Sequence, residues 1–237
     1  MNTKRVSTGI PGLDPVIEGG FLAGKSYLIT GEPGTGKSIF CMQFVLKGLL
    51  EGEKAVYVAV DEKPDDIVEE AASLGWDLVK YTEERKLLIL DASSYFSSRV
   101  GASRGAGVDI AKTIADLASY VKRMGASRVV IDPVGPLIST YNSAAHLQEH
   151  ARMLVHSLHD HMGTTNLLTS YSSRGSPGGQ GIEEYLVAGV VVLGATRVQN
   201  CLTRTLLVRK MRCTATDLME CRFSIVKEKG ITLQKAL

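Results

Sequence analysis

Residues 31–38 read GEPGTGKS: a glycine, four further residues, Gly-Lys, then a serine. This spacing is the phosphate-loop pattern, and the flanks agree with it. Lys25–Thr30 (KSYLIT) is apolar enough for a buried strand, and Lys37–Leu50 (KSIFCMQFVLKGLL) has the length and spacing of a helix. Gly31, Gly34 and Gly36 carry no β-carbon, so the loop can curl its N–H groups around phosphate oxygens at the positive end of the following helix. The pattern therefore implies a nucleoside triphosphate ligand, with Gly31, Glu32, Pro33, Gly34, Thr35, Gly36, Lys37, Ser38 and Ile39 as candidate binding residues. In this reading Lys37 reaches the β- and γ-phosphates, and the Ser38 hydroxyl ligates a Mg2+ ion that bridges two phosphates.

Outward from the loop, apolar runs alternate with amphipathic segments. Strands are expected at Ala55–Val60, Leu87–Asp91, Arg128–Asp132 and Thr164–Ser170, and helices at Pro64–Leu74, Val108–Met124 and Ser143–Met162. The alternation predicts repeated βαβ units. Unbroken runs such as VVID and VVVL predict an α/β fold whose mostly parallel central sheet carries helices on both faces. Val190–Leu193, Thr205–Arg209 and Phe223–Val226 have few helical residues between them and are expected as antiparallel additions to one sheet edge. Ser97–Gly107 and Ser172–Gly181, rich in Gly and Ser, read as loops. With 237 residues and no composition break, one domain over 1–237 is expected.

Net charge is +2, so charge does not demand a polyanionic partner. No stretch approaches the roughly 20 apolar residues of a membrane span, and a soluble, cytoplasmic protein is expected. Cys41, Cys201, Cys213 and Cys221 are scattered without a CxxC pair and read as reduced, mostly packed thiols, not as a zinc or disulfide framework. All five histidines fall between His146 and His161. His146 and His150 have a spacing that can hold metal, but they lie beside an apolar helical stripe with no third ligand fixed nearby, and a solvated rim is expected. Trp76 reads as packing.

Hydrolysis needs a second carboxylate on the metal side and a group to activate water. Asp132, closing the strand RVVID, is the candidate for the first, against the alternative of a turn cap before Pro133. Asp61 and Glu62 directly follow AVYVAV and are candidates for the second. Their alternative role is to cap the helix that begins near Pro64.

Several motifs in order carry a resemblance across about Thr8–Leu233: STGIPGLDPVIEGGFLAGKSYLITGEPGTGKS, VDEKPDDI, GWDL at 75–78, RVVIDPVGPL, GIEEY, KMRCT and the Lys229-Gly230 turn. Together they resemble single KaiC-type ATPase domains of the RecA-like superfamily. The resemblance implies a RecA-like core and ATP as the nucleotide, with sites between subunits of a homo-oligomeric ring, commonly a hexamer. By the same resemblance Glu62 matches the second of two paired catalytic glutamates, and Asp61 stands where the first is usually Glu. Lys210 and Arg212 match basic residues that reach the γ-phosphate held by a neighbouring subunit, stabilising charge on the transferred group. Solvated charge on an edge strand is the alternative for both. Cys213 replaces the glycine that usually follows this arginine. Glu184 and Tyr185 stand where some family members carry phosphoacceptor Ser and Thr, so the chain resembles the ATPase type and not the autokinase type.

The expected activity is slow Mg-dependent ATP hydrolysis in a regulatory or signalling setting, with a protein partner that the sequence does not identify. Two other classes compete with it. One is an ATP-dependent assembly switch with little turnover, which the Asp61 departure favours. The other is a recombinase-like DNA-binding ATPase, against which the candidate channel loops argue: Pro133–Ala145 contains no Lys or Arg, and Tyr171–Gly181 contains only Arg174.

Overall fold

The computed structural model describes residues 4–92, 110–138, 144–158, 163–171, 182–198, 201–218 and 220–236. The expected loops 97–107 and 172–181 lie outside them. A two-stranded antiparallel ribbon, β1 (Arg5–Val6) with β2 (Phe21–Leu22), brackets a short helix α1 (Leu13–Val16). Next come β3 (Ser26–Gly31), α2 (Lys37–Leu50), β4 (Ala55–Ala59), α3 (Pro64–Ser73), α4 (Leu78–Glu83) and β5 (Leu87–Asp91). They are followed by α5 (Ile110–Met124), β6 (Arg128–Asp132), α6 (Gly135–Ile138), α7 (Ala144–Ser157) and β7 (Thr165–Tyr171). The last elements are α8 (Ile182–Leu186), β8 (Gly189–Val198), β9 (Cys201–Met211), β10 (Glu220–Val226) and β11 (Gly230–Ala236).

Nine strands form one sheet in the order β11-β10-β9-β8-β3-β7-β6-β4-β5. Strands β8 to β5 in that order are parallel, and β9, β10 and β11 are added antiparallel. The α/β architecture is as expected, with one correction. Val190–Leu193, expected as an antiparallel addition, lies in β8, which runs parallel to β3; the antiparallel part begins at β9. Strands β7 and β8 flank β3 and run in the same direction, and the connection between them, which contains α8, returns the chain for a parallel strand. Strand β11 was not read from the sequence; its pairing partner β10 lies across the turn at Lys229-Gly230.

Side-chain alternation along the strands divides the core into two layers. On β4, Ala55, Tyr57 and Ala59 face one layer, and Val56 and Val58, with Val60 just after the strand, the other. The first layer receives Phe40, Cys41, Phe44, Val45 and Leu49 of α2 together with Ile67 and Ala71 of α3. The second receives Ile114, Leu117 and Val121 of α5, and Ala151, Leu154 and Leu158 on and just after α7, at helical spacings. Burying both sheet faces leaves the strand ends as the place where polar chemistry can meet solvent.

Trp76 is buried, its indole N–H donating to the Glu228 carbonyl at 3.2 Å, which agrees with a packing role. The cysteines divide: Cys41 and Cys221 are buried, while Cys201 and Cys213 are exposed, so only half of them are packed thiols. On α7, His156 is exposed, and no cluster of three metal-ligating side chains occurs among the described residues. His159 and His161 lie outside those residues. No described helix is long and apolar enough to cross a membrane.

Candidate functional site

The loop 31–38 leaves β3 at its carboxyl end, where close packing dictates its first residue. A β-carbon on Gly31 would stand 2.3 Å from the Leu193 carbonyl oxygen of β8, closer than any side chain tolerates. The loop closes at Gly36, the N-cap of α2, with φ of 103°, a left-handed conformation that glycine adopts without strain. The Thr35 hydroxyl donates to the Glu32 carbonyl at 2.8 Å. Lys37 folds back over the loop, its Nζ donating to the carbonyls of Gly31 at 3.0 Å and Glu32 at 3.1 Å. Burial lowers the Lys37 pKa from its ordinary value, and nearby Asp132 opposes that shift.

Three adjacent parallel strands deliver carboxylates and hydroxyls to this edge. Asp132 ends β6 and accepts hydrogen bonds from both neighbouring strands, from the Tyr57 hydroxyl of β4 at 2.6 Å and from the Thr169 hydroxyl of β7. Asp132 therefore does not serve as a turn cap; two buried hydroxyl donors orient it. Asp61 and Glu62 follow β4, and Asp61 accepts from the Tyr171 hydroxyl at 3.1 Å. The capping alternative for this pair fails on geometry: the N-cap of α3 is Lys63, Pro64 opens the helix, and Asp66 accepts from the Lys63 N–H at 3.3 Å. Partial burial, then Asp132, Asp66 and Asp61, raise the Glu62 pKa above the ordinary carboxylate range. Glu70 of α3 is raised in the same way by burial, Glu62 and Asp132.

A cleft of about 340 Å³ joins these groups. Its lining includes Gly34, Lys37, Ser38, Asp61, Glu62 and Asp132, all sequence candidates. Pro33, Gly36 and Ile39 also line it, whereas Gly31, Glu32 and Thr35 act from behind as strand end and carbonyl or hydroxyl partners. Glu70, Tyr171, Arg204 and Ile225 line the cleft without having been read from the sequence. Tyr171 ends a strand beside the loop, so the strand-end rule that found Asp132 could have found it. Arg204 and Ile225 arrive on β9 and β10, whose pairing no local pattern reveals.

Lys210 and Arg212 do not join the cleft of their own chain. Along β3, Gly31 pairs Leu193, which pairs Leu206, whereas Tyr27 pairs Gly189, which pairs Met211. The basic pair thus sits at the opposite sheet edge, four strand residues or about 13 Å from the loop end of β3. Strand β9 lies between β8 and β10, but β10 pairs only Thr205–Leu207, so the Lys210 end runs on beyond that cover. Lys210 Nζ donates to the carbonyls of Glu184 at 2.7 Å and Tyr185 at 3.2 Å, and the Arg212 guanidinium donates to Tyr185 O at 3.0 Å. Burial, then Arg212, lower the Lys210 pKa. Cys213 adopts φ of 55°, so it holds the left-handed turn that a glycine would favour.

Comparisons with known proteins identify the family and the fold. The family described as "ATPase: KaiC" matches residues 6–237. A UPF0273 protein of Methanocaldococcus jannaschii is 36% identical, covering 95% of this chain and 94% of that protein. The circadian clock oscillator protein KaiC of Synechococcus elongatus is 33% identical over 97% of this chain, which spans 44% of that longer protein. The crystal structure of a KaiC-like protein from Pyrococcus horikoshii superposes with a TM-score of 0.84 at 34% identity, covering 98% of this chain and 100% of that one.

Proposed function

The chain belongs to the KaiC ATPase family, and from that premise we propose that it acts as one domain that binds Mg-ATP and hydrolyses it slowly in a hexameric ring of identical subunits. Nucleotide binding and ATPase activity are general to the family. One observation carries the reading for this chain. The loop lysine and four carboxylates, Asp61, Glu62, Glu70 and Asp132, line one cleft, while the two candidate finger residues stand at the opposite strand ends, which supports their acting on a neighbour's cleft.

Lys37 supplies positive charge to the terminal phosphates as they arrive. Glu62, with its raised proton affinity, takes the proton of the attacking water. Ser38 and Asp132 offer hard oxygen donors on the same cleft, which fits a Mg2+ ion. That ion, when bound, neutralises charge on the phosphates. Lys210 and Arg212 of the adjoining subunit supply cationic charge to the transferred phosphoryl group. The homology does not extend a clock role to this chain, which spans less than half of the clock protein.

Light scattering with and without Mg-ATP, paired with phosphate release, tests the reading. A nucleotide-dependent ring is expected. Glu62→Gln should lower turnover by about 100-fold or more while keeping ATP binding, and Arg212→Ala by about 1,000-fold. Tight ATP binding with turnover near zero in the wild type would favour the assembly switch. A monomer that hydrolyses ATP and is indifferent to Arg212→Ala would sink the shared site.

A further inference from the structure

Two hydroxyl-bearing residues of β7, Thr169 and Tyr171, stand two apart and so project to the same side of the strand. Thr169 donates to Asp132, and Tyr171 donates to Asp61 at 3.1 Å. The strand therefore hands one hydroxyl to each of two carboxylates that rise from different strands. Tyr171 has a second contact: the Lys37 ammonium lies 4.8 Å from the centre of its ring, within cation–π range. By register Tyr171 sits directly beside Gly31, where the phosphate loop begins. One side chain thus touches the cation of the loop and a carboxylate just beyond the end of β4, two strands away in the sheet, in the cleft that all three line.

We propose that Tyr171 is a positioning residue for phosphoryl transfer, its hydroxyl fixing the Asp61 carboxylate and its ring holding the Lys37 ammonium, so that the two groups keep a set spacing. This rests on the ATPase reading above. Asp61 is one methylene shorter than the glutamate the family usually carries there, and the Tyr171 hydroxyl ties that shorter carboxylate to the β7 end of the cleft. The charge it anchors stays beside Glu62, and Asp61 is among the groups that raise the Glu62 proton affinity. The hydroxyl arm acts on the chemical step through Asp61. The ring arm acts on nucleotide binding through Lys37. The two arms predict separable kinetic effects.

The test is steady-state phosphate release by the full chain with Mg-ATP, comparing wild type, Tyr171→Phe and Tyr171→Leu. Phe keeps the ring and loses the hydroxyl, and the residue is more than half exposed, so the fold should be unaffected. Tyr171→Phe is expected to lower kcat about tenfold with KM within about twofold of wild type, the loss of one hydrogen bond to a charged group. Tyr171→Leu is expected to lower kcat equally and also to raise KM several-fold. Wild-type kcat in Tyr171→Phe overturns the proposal, as does a loss carried wholly or equally by KM. Absence of any turnover in the wild-type protein overturns the ATPase reading together with this one, an outcome distinct from the others.

Discussion

Glu62 sits in the mouth of a cleft with Asp61, Asp66 and Asp132 around it, and its proton affinity is the residue-scale quantity that matters most. A general base works only when ionised, so kcat/KM should rise with pH through the Glu62 pKa, and burial with three like charges places that limb above the ordinary carboxylate range. Asp61→Asn removes one negative neighbour. Its acid limb should therefore move to lower pH, whatever it does to the rate, in a pH profile of phosphate release. A limb that stays in place would assign water activation to another group. The same raised pKa has a stability consequence of fixed sign. The folded form holds the proton more tightly than the unfolded chain, so this group's contribution to stability is present at low pH and lost as pH rises through the folded pKa. Asp132 is held in orientation by direct hydrogen bonds from the Tyr57 and Thr169 hydroxyls.

At the scale of elements, α2 carries the site and must be held at one height against the sheet. Arg128, fully buried on β6, does much of this work: its guanidinium bonds Glu53 Oε2 at 2.5 Å, Glu51 Oε2 at 3.3 Å, the Phe44 carbonyl at 2.8 Å and the Ser7 carbonyl at 2.9 Å. Four partners offset the cost of removing one cation from water. Helix α2 makes room for it at Gly48, where a β-carbon would lie 2.4 Å from Arg128 Nε and 2.6 Å from its Cδ. Gly48→Ala has a favourable helix propensity, yet it should destabilise the protein by about 1–3 kcal/mol through overpacking. In thermal unfolding this is a fall in Tm of about 2–4 °C per kcal/mol. A Tm equal to or above wild type would show that Arg128 can shift without loss. The helix also reaches the C-terminal strands through Gln43, whose amide N–H groups donate to Gly9, Lys229 and Ile231 carbonyls while its Oε1 accepts from Ile231 N–H.

For the whole molecule, the sheet separates the two halves of the proposed site by placing the loop at one edge and Lys210 with Arg212 at the other. Mixing two inactive proteins, Lys37→Ala and Arg212→Ala, should therefore restore phosphate release, because about a quarter of randomly formed heterologous interfaces join an intact loop to an intact finger. Activity no greater than the sum of the separate proteins would place both halves in one subunit. Much of this was legible in residue order: GEPGTGKS specifies its own strand, loop and helix, and RVVID and AVYVAV specify buried strands that end in carboxylates, because local periodicity and glycine geometry are short-range properties. The parallel direction of β8, the pairing of β11 and the arrival of Arg204 and Ile225 at the cleft were not legible, since strand pairing is decided between residues distant in sequence. Tyr171 closes a strand and was within reach of the strand-end rule, but its bond to Asp61, like that of Thr169 to Asp132, joins residues distant in sequence and was not. By itself the sequence determined the phosphate loop, the α/β class and the carboxylates at the strand ends. Only the tertiary structure decided which hydroxyl orients which carboxylate, and that the basic pair lies at the strand ends opposite its own cleft, because both follow from strand order and register in a sheet assembled across the whole chain.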